Sequence, residues 1–202
     1  MEVSKKYMKQ LAALNMILEV EIGVVGGEED GHDTSDVAQE KLYTTPGDMV
    51  ATYEVLQPLG KYMLAATFGN VHGVYKPGNV KLTPEILKNG QVAVQEKHST
   101  EGNPLFLVFH GGSGSPKEQI AETLDYGVIK MNVDTDTQYA FTTPIAGHMI
   151  EHQAVLFHTE DQVAEKKRFD PRKYLAVGRD AMKDRVIEAV KDLDAEGKSL
   201  LK

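Results

Sequence analysis

Four short, almost unbroken apolar runs rich in β-branched residues constrain this chain most: Ile17–Ile22, Tyr62–Phe68, Leu105–Phe109 and Val128–Val133. A strand with one wet face alternates polar and apolar residues. A run without alternation needs cover on both faces, which parallel strands joined by crossover helices provide. The segments between the runs have helical period, so the pattern implies an α/β fold on a parallel sheet.

The helix starts are marked. Thr45-Pro46, Thr83-Pro84 and Ser115-Pro116 each offer an N-cap hydroxyl followed by proline at the first helical position. Asp48 and Glu118, three residues after Thr45 and Ser115, complete capping-box-like pairs. A first helix from Glu2 to about Asn15 places Val3, Tyr7, Leu11 and Leu14 on one face. A helix after Pro171 carries Met182, Val186, Val190 and Leu193 on one stripe, and the charged stretch from Glu151 to Arg168 reads as an extension. The expected organisation is a single partial domain, with barrel strands and helices over 1–150 and a C-terminal extension and helix over 151–202.

Composition narrows the chemistry. The chain has 202 residues, a formal charge of −8 and no cysteine. The charge argues against nucleic acid or an anionic membrane as partner. Without thiols, a metal site must use histidine nitrogen and carboxylate oxygen. No apolar run reaches the roughly 18 residues needed to span a bilayer, so a cytoplasmic location is expected.

Polar residues gather after each strand: Glu28-Glu29-Asp30, Asn70 to His72, His110 to Ser115 and Asn132 to Asp136. In a (β/α)8 barrel such loops at the strands' C-terminal ends converge on one site. Four strand units plus a tail make about half of such a barrel, which normally takes roughly 250 residues.

His110-Gly111-Gly112-Ser113-Gly114-Ser115 lets backbone N–H groups approach an anion at a helix start, with the Ser113 hydroxyl as a further donor. A plain glycine-rich turn would have no need of the histidine. His72 ends the preceding strand inside Gly69–Asn79, and His72 with His110 at the same end of consecutive strands suggests a shared metal. His32, His98, His148, His152 and His158 read as surface residues. Glu21 closes the first strand, and glycines around Glu28-Glu29-Asp30 suit a mobile lid carrying an acid–base carboxylate, or a solvated charge run. Asn132 and Asp134 can meet substrate hydroxyls, or cap the next helix, for which Asp136 is the better candidate.

Taken together, Gly26-Gly27-Glu28-Glu29-Asp30-Gly31, Gly69 to Asn79, Phe109 to Ser115 and Lys130 to Gln138 resemble the class II fructose-bisphosphate aldolases, from about Glu2 to the C-terminus. The resemblance implies the C-terminal half of a TIM barrel. It implies reversible cleavage of fructose 1,6-bisphosphate to dihydroxyacetone phosphate and glyceraldehyde 3-phosphate, with Zn2+ or another divalent metal as Lewis acid. By resemblance His72 and His110 are metal ligands, Glu21 is an alternative ligand and Glu29 is the mobile-loop acid–base carboxylate. Gly73, Gly111, Ser113, Asp134 and Thr135 form the phosphate cradle, with a monovalent cation (Na+ or K+) beside Val71, Gly73, Gly111 and Ser113. Asn132 contacts the substrate's hydroxyl and carbonyl end, and Arg172 reaches the second phosphate across a homodimer. The family's His-Thr-Asp-His-like motif, with a third ligand and the aspartate of the cleavage step, does not occur in these 202 residues. Little or no activity is therefore expected from the chain alone. Two alternatives stay open: a half that needs a separately encoded N-terminal partner, and a tagatose-bisphosphate aldolase.

Overall fold

The computed structural model describes residues 1–23, 26–29, 32–33, 43–72, 82–157, 161 and 163–199, without the side chains of 26–29, 32–33 and 72. Its contacts group into two compact units, Met1–Val133 and Asp134–Lys202.

The first unit runs α1 (Glu2–Ala13), β1 (Leu18–Ile22), β2 (Gly26–Glu29), β3 (His32–Asp33), α2 (Pro46–Leu56), β4 (Tyr62–Ala66), β5 (Val71–His72), α3 (Glu85–His98), β6 (Leu107–Phe109), α4 (Lys117–Asp125) and β7 (Val128–Met131). The four apolar runs form one parallel sheet in the order β1-β4-β6-β7, as the pattern requires. Pairing of Glu21 with Ala65, Ala65 with Val108 and Val108 with Lys130 puts these four residues on one face. Leu64 and Leu107, on the other face, are fully buried. Phe68 and Phe109 meet edge-on with centroids 4.8 Å apart.

The outer strands depart from the expectation of continuous burial. No residue of β1 is buried and Ile129 in β7 is 58% exposed. Among the described residues each of these strands has a neighbour on one side only. A second sheet, β3-β2-β5, was not legible in the sequence. In it the acidic segment forms a hairpin rather than an open loop, with Glu29 opposite His32.

The local helix signals were met unevenly. Thr45 makes the full capping box with Asp48, its side chain taking the Asp48 N–H at 3.2 Å while Asp48 takes the Thr45 N–H at 3.1 Å. Thr45→Ala should lower stability by about 1 kcal/mol, read as a fall in the urea midpoint at unchanged slope. Ser115 and Glu118 form no such box. Pro116 itself takes the N-cap position in extended backbone, which moves the start of α4 one residue past the expected register. α3 likewise begins after Pro84 with no side-chain cap. In α1 the buried residue is Met8, whereas Val3, Tyr7 and Leu14 are exposed, so the helix seats a different face from the one expected.

The second unit comprises α5 (Thr135–Glu151), α6 (Gln153–Leu156), α7 (Lys166–Phe169) and α8 (Pro171–Asp192). α5 packs on α8 where Gly178 is buried; a Cβ there would meet the Phe141 carbonyl at 2.7 Å. Arg185 pairs with Asp136 at 2.8 Å. His148 and His152 are half-buried rather than surface residues. Their rings stack edge-on at 4.6 Å, and Arg168 donates to His152 Nε2 at 2.9 Å. His98 is also half-buried, 5.0 Å from the Tyr53 ring. The side chain of His32, and His158, lie outside the described residues. No helix among the described residues is long and apolar enough to cross a membrane.

Candidate active site

Glu19 and Glu21 alternate along β1, so both project from its polar face. His110 follows directly on β6 and lies between them. Its Nδ1 is 2.6 Å from Glu21 Oε2 and its Nε2 is 2.8 Å from Glu19 Oε1. Lys130 on β7 donates to the other oxygen of Glu19 at 2.7 Å. The cluster thus joins residues from three strands, two of them the edges of the sheet.

The charges set each other. The hydrogen bond that His110 donates to Glu21 raises the His110 pKa; burial opposes this and Glu19 reinforces it. Burial pushes the Glu19 carboxyl up, but Lys130 and His110 outweigh it and hold the group below its ordinary value.

The loop after His110 is fixed from two sides. Asn70 is 1% exposed; it accepts from the Phe68 N–H at 2.9 Å and donates to the His110 carbonyl at 2.8 Å. The Gly112 N–H donates to the Asn132 carbonyl at 2.9 Å, and the Asn132 N–H donates to the Phe109 carbonyl at 2.8 Å. Gly111 has φ +63, and a Cβ on Gly112 would lie 2.6 Å from the Met131 side chain. Glycine at 111 answers a backbone demand and at 112 a steric one. Ser113 is buried. His110, Gly111, Ser113 and Asn132 are therefore brought together.

The small sheet sets Gly27 opposite His72, which places the Glu29 backbone two residues along the neighbouring strand from the His72 position. The side chains of Glu29 and His72, and all of Gly73, lie outside the described residues. Asp134 and Thr135 open α5 in the second unit. Asp134, not Asp136, takes the N-cap position, without a capping bond, and its carboxylate accepts from Gln138 Nε2 at 2.7 Å. Arg172, the second residue of α8, is highly exposed and grips Asp170 at 2.9 and 2.6 Å. That contact holds the Asp170 carboxyl at about 2, against an ordinary 3.8. Whatever Asp170 contributes to stability is present above the ordinary value and lost as pH falls through about 2. Carboxyl NMR should find that midpoint, and Arg172→Ala should return it toward the ordinary value.

Sequence reading singled out neither Glu19 nor Lys130, and gave Asn70 no role beyond its place in a polar strand-end cluster. Glu19 carried a usable signal, since it shares a strand face with Glu21. Lys130 acts through a partner distant in sequence, and Asn70 joins the nearby Phe68 N–H to the distant His110 carbonyl.

Among the described residues no three His, Asp or Glu side chains stand in a geometry that would hold a metal ion. The donor chemistry nevertheless fits one. Imidazole beside two carboxylates is the nitrogen–oxygen set that zinc takes, and a liganding histidine hands its second nitrogen to a carboxylate.

The comparisons with known proteins bear on the family and the fold. Residues 1–198 match the family model described as fructose-bisphosphate aldolase class-II. The fructose-bisphosphate aldolase of Mycobacterium leprae is 55% identical over 98% of this chain and 58% of its own length. That of Aspergillus oryzae is 45% identical over 97% of this chain and 56% of its own. The crystal structure of fructose-bisphosphate aldolase from Campylobacter jejuni superposes with a TM-score of 0.78 at 43% identity, over 96% of this chain and 56% of that one. The chain thus spans somewhat more than half the length of these relatives. A parallel α/β half-barrel with His110 at a strand end, matched to the family over nearly all its length, belongs to the class II fructose-bisphosphate aldolases.

Proposed function

We propose that this chain supplies the metal-binding and phosphate-binding half of a class II aldolase that reversibly cleaves fructose 1,6-bisphosphate into dihydroxyacetone phosphate and glyceraldehyde 3-phosphate. The observation that carries the reading is His110 at the end of β6, held by Glu19 and Glu21 and followed by the buried Ser113 loop. The enzyme would be cytoplasmic and homodimeric, as the family resemblance implies.

In this reading His72 and His110 hold a divalent metal, zinc first among candidates, with Glu21 as an alternative ligand. The metal's contribution is to polarise the substrate ketone. The chain's own residues do the rest. Backbone N–H groups around Gly73 and Gly111, with the Ser113 hydroxyl, receive a phosphate, and a monovalent cation beside them offsets its charge. The family resemblance assigns Asp134 and Thr135 to the same phosphate. Asn132 orients the hydroxyl and carbonyl end of the substrate. By the family resemblance Glu29 moves the proton at the carbon next to the ketone, a task suited to a carboxylate. Arg172 exchanges Asp170 for the second phosphate of a substrate bound to the partner protomer, as a planar bidentate donor can.

Catalytic zinc normally keeps three protein ligands, and these residues provide two histidines. The open sheet edges at β1 and β7 favour a chain that works with a complementary half. The test is aldol cleavage of fructose 1,6-bisphosphate by the purified chain, alone and co-expressed with a segment carrying the remaining strands. Cleavage that is EDTA-sensitive and confined to the co-expressed pair is expected. Near-complete activity from the chain alone would overturn the half-enzyme reading, and preference for tagatose 1,6-bisphosphate would reassign the substrate.

A further inference from the structure

We propose that Glu19 and Lys130 form a positioning pair that fixes the His110 ring with Nδ1 toward the incoming metal and Nε2 committed to protein. The proposal rests on the reading of His110 as a ligand and adds how the ring is held. A liganding imidazole gives one nitrogen to the metal and donates its other N–H. Here each nitrogen faces a carboxylate, Glu21 at Nδ1 and Glu19 at Nε2, so the carboxylates decide which nitrogen is released.

They are not equivalent. Glu19 is anchored a second time, because Lys130 donates to its other oxygen at 2.7 Å. β1 and β7 are the two edges of the sheet, so this pair bridges the outer strands above the polar face. Glu19 also sits two residues further from the strand's C-terminal end than Glu21, and its side chain is less exposed, 27% against 37%. A cation entering at the C-terminal ends of the strands reaches the Glu21 side first. Displacing Glu21 uncovers Nδ1, whose proton is released to solvent as the cation binds, and leaves that carboxylate beside the cation. Displacing Glu19 would strip the Lys130 ammonium of its counter-charge next to a divalent ion, which Coulomb repulsion disfavours. Lys130 thus acts on the metal through Glu19 and the ring, touching neither substrate nor metal.

The test loads the full 202-residue chain with an NMR-active cadmium isotope, its histidines labelled with an NMR-active nitrogen isotope, and assigns His110 by its loss in His110→Gln. Direct cadmium coupling is expected at His110 Nδ1. Cadmium affinity, measured by chelator competition, should fall ten- to a hundredfold in Glu19→Ala. It should fall in Lys130→Met and recover in Lys130→Arg, with the thermal midpoint of both Lys130 variants close to the parent. Direct coupling at Nε2 would overturn the assignment. Parental affinity in Glu19→Ala and Lys130→Met would overturn the positioning role. Absence of coupling at both His110 nitrogens would overturn the underlying ligand reading as well, so the two failures are distinguishable. If Glu19→Ala does not fold, the Lys130 pair and the coupling in the parent chain still decide the matter.

Discussion

Truncating Phe109 to alanine is expected to cost about 3–5 kcal/mol, the range for removing a fully enclosed aromatic side chain from a packed core. Phe109 is 0% exposed and meets Phe68, also 0% exposed, edge-on at 4.8 Å. The loss has two parts: the transfer free energy of the ring, and the void left against neighbours that are themselves enclosed. Leu64 and Leu107, on the same face of the sheet, are fully buried and have no solvent-facing freedom with which to close that void. A domain of this kind is stable by only about 5–15 kcal/mol, so the change consumes a large share of it. Urea unfolding should show a much lower midpoint at unchanged slope, and Phe109→Leu should recover part of the loss. A midpoint for Phe109→Ala near that of the parent would show that the ring does not brace the sheet. Function should suffer too, because the Phe109 carbonyl receives the Asn132 N–H and the next residue is His110.

Replacing His110 with alanine should lower the cleavage rate of the complemented enzyme about a thousandfold. Lewis-acid stabilisation of a developing charge is worth several kcal/mol, and each tenfold in rate takes about 1.4 kcal/mol. The imidazole is the one described side chain that both Glu19 and Glu21 contact. Its removal also takes away the group that joins Glu19 to Glu21, so metal content should fall together with the rate. Parallel measurement of bound zinc and of turnover checks this. An alanine variant that keeps both would remove His110 from the ligand set. Because the ring is a surface of contact for polar groups rather than part of the apolar core, the urea midpoint should move far less than for Phe109→Ala.

Tyr62–Phe68 and Leu105–Phe109 were legible because continuous apolar runs leave few alternatives to a covered parallel sheet, whereas Glu19 and Glu21 break the first run, which forms an edge strand. The capping box at Thr45 was legible for a similar reason: it is complete within four residues. Ser115-Pro116 offered the same local signal and failed, since the glycine loop before it is held by Asn132 and Met131 and sets where α4 can begin. The face of α1 was misjudged because helical period defines an apolar stripe without saying which side meets the sheet. Met8 alone fills that role.

The sequence by itself determined the fold class, the family and the placement of His110 at a strand end, because these rest on local order: runs, spacings and motifs that survive without knowledge of neighbours. Only the tertiary structure decided that Glu19 and Lys130 belong to the site. They stand 111 residues apart on opposite edges of one sheet, and His110 stands 91 residues from Glu19. Their ion pair exists because curvature of a twisted parallel sheet carries its outer strands toward each other over the polar face. That closeness is set by the register of four strands together, and no single segment of the sequence encodes it.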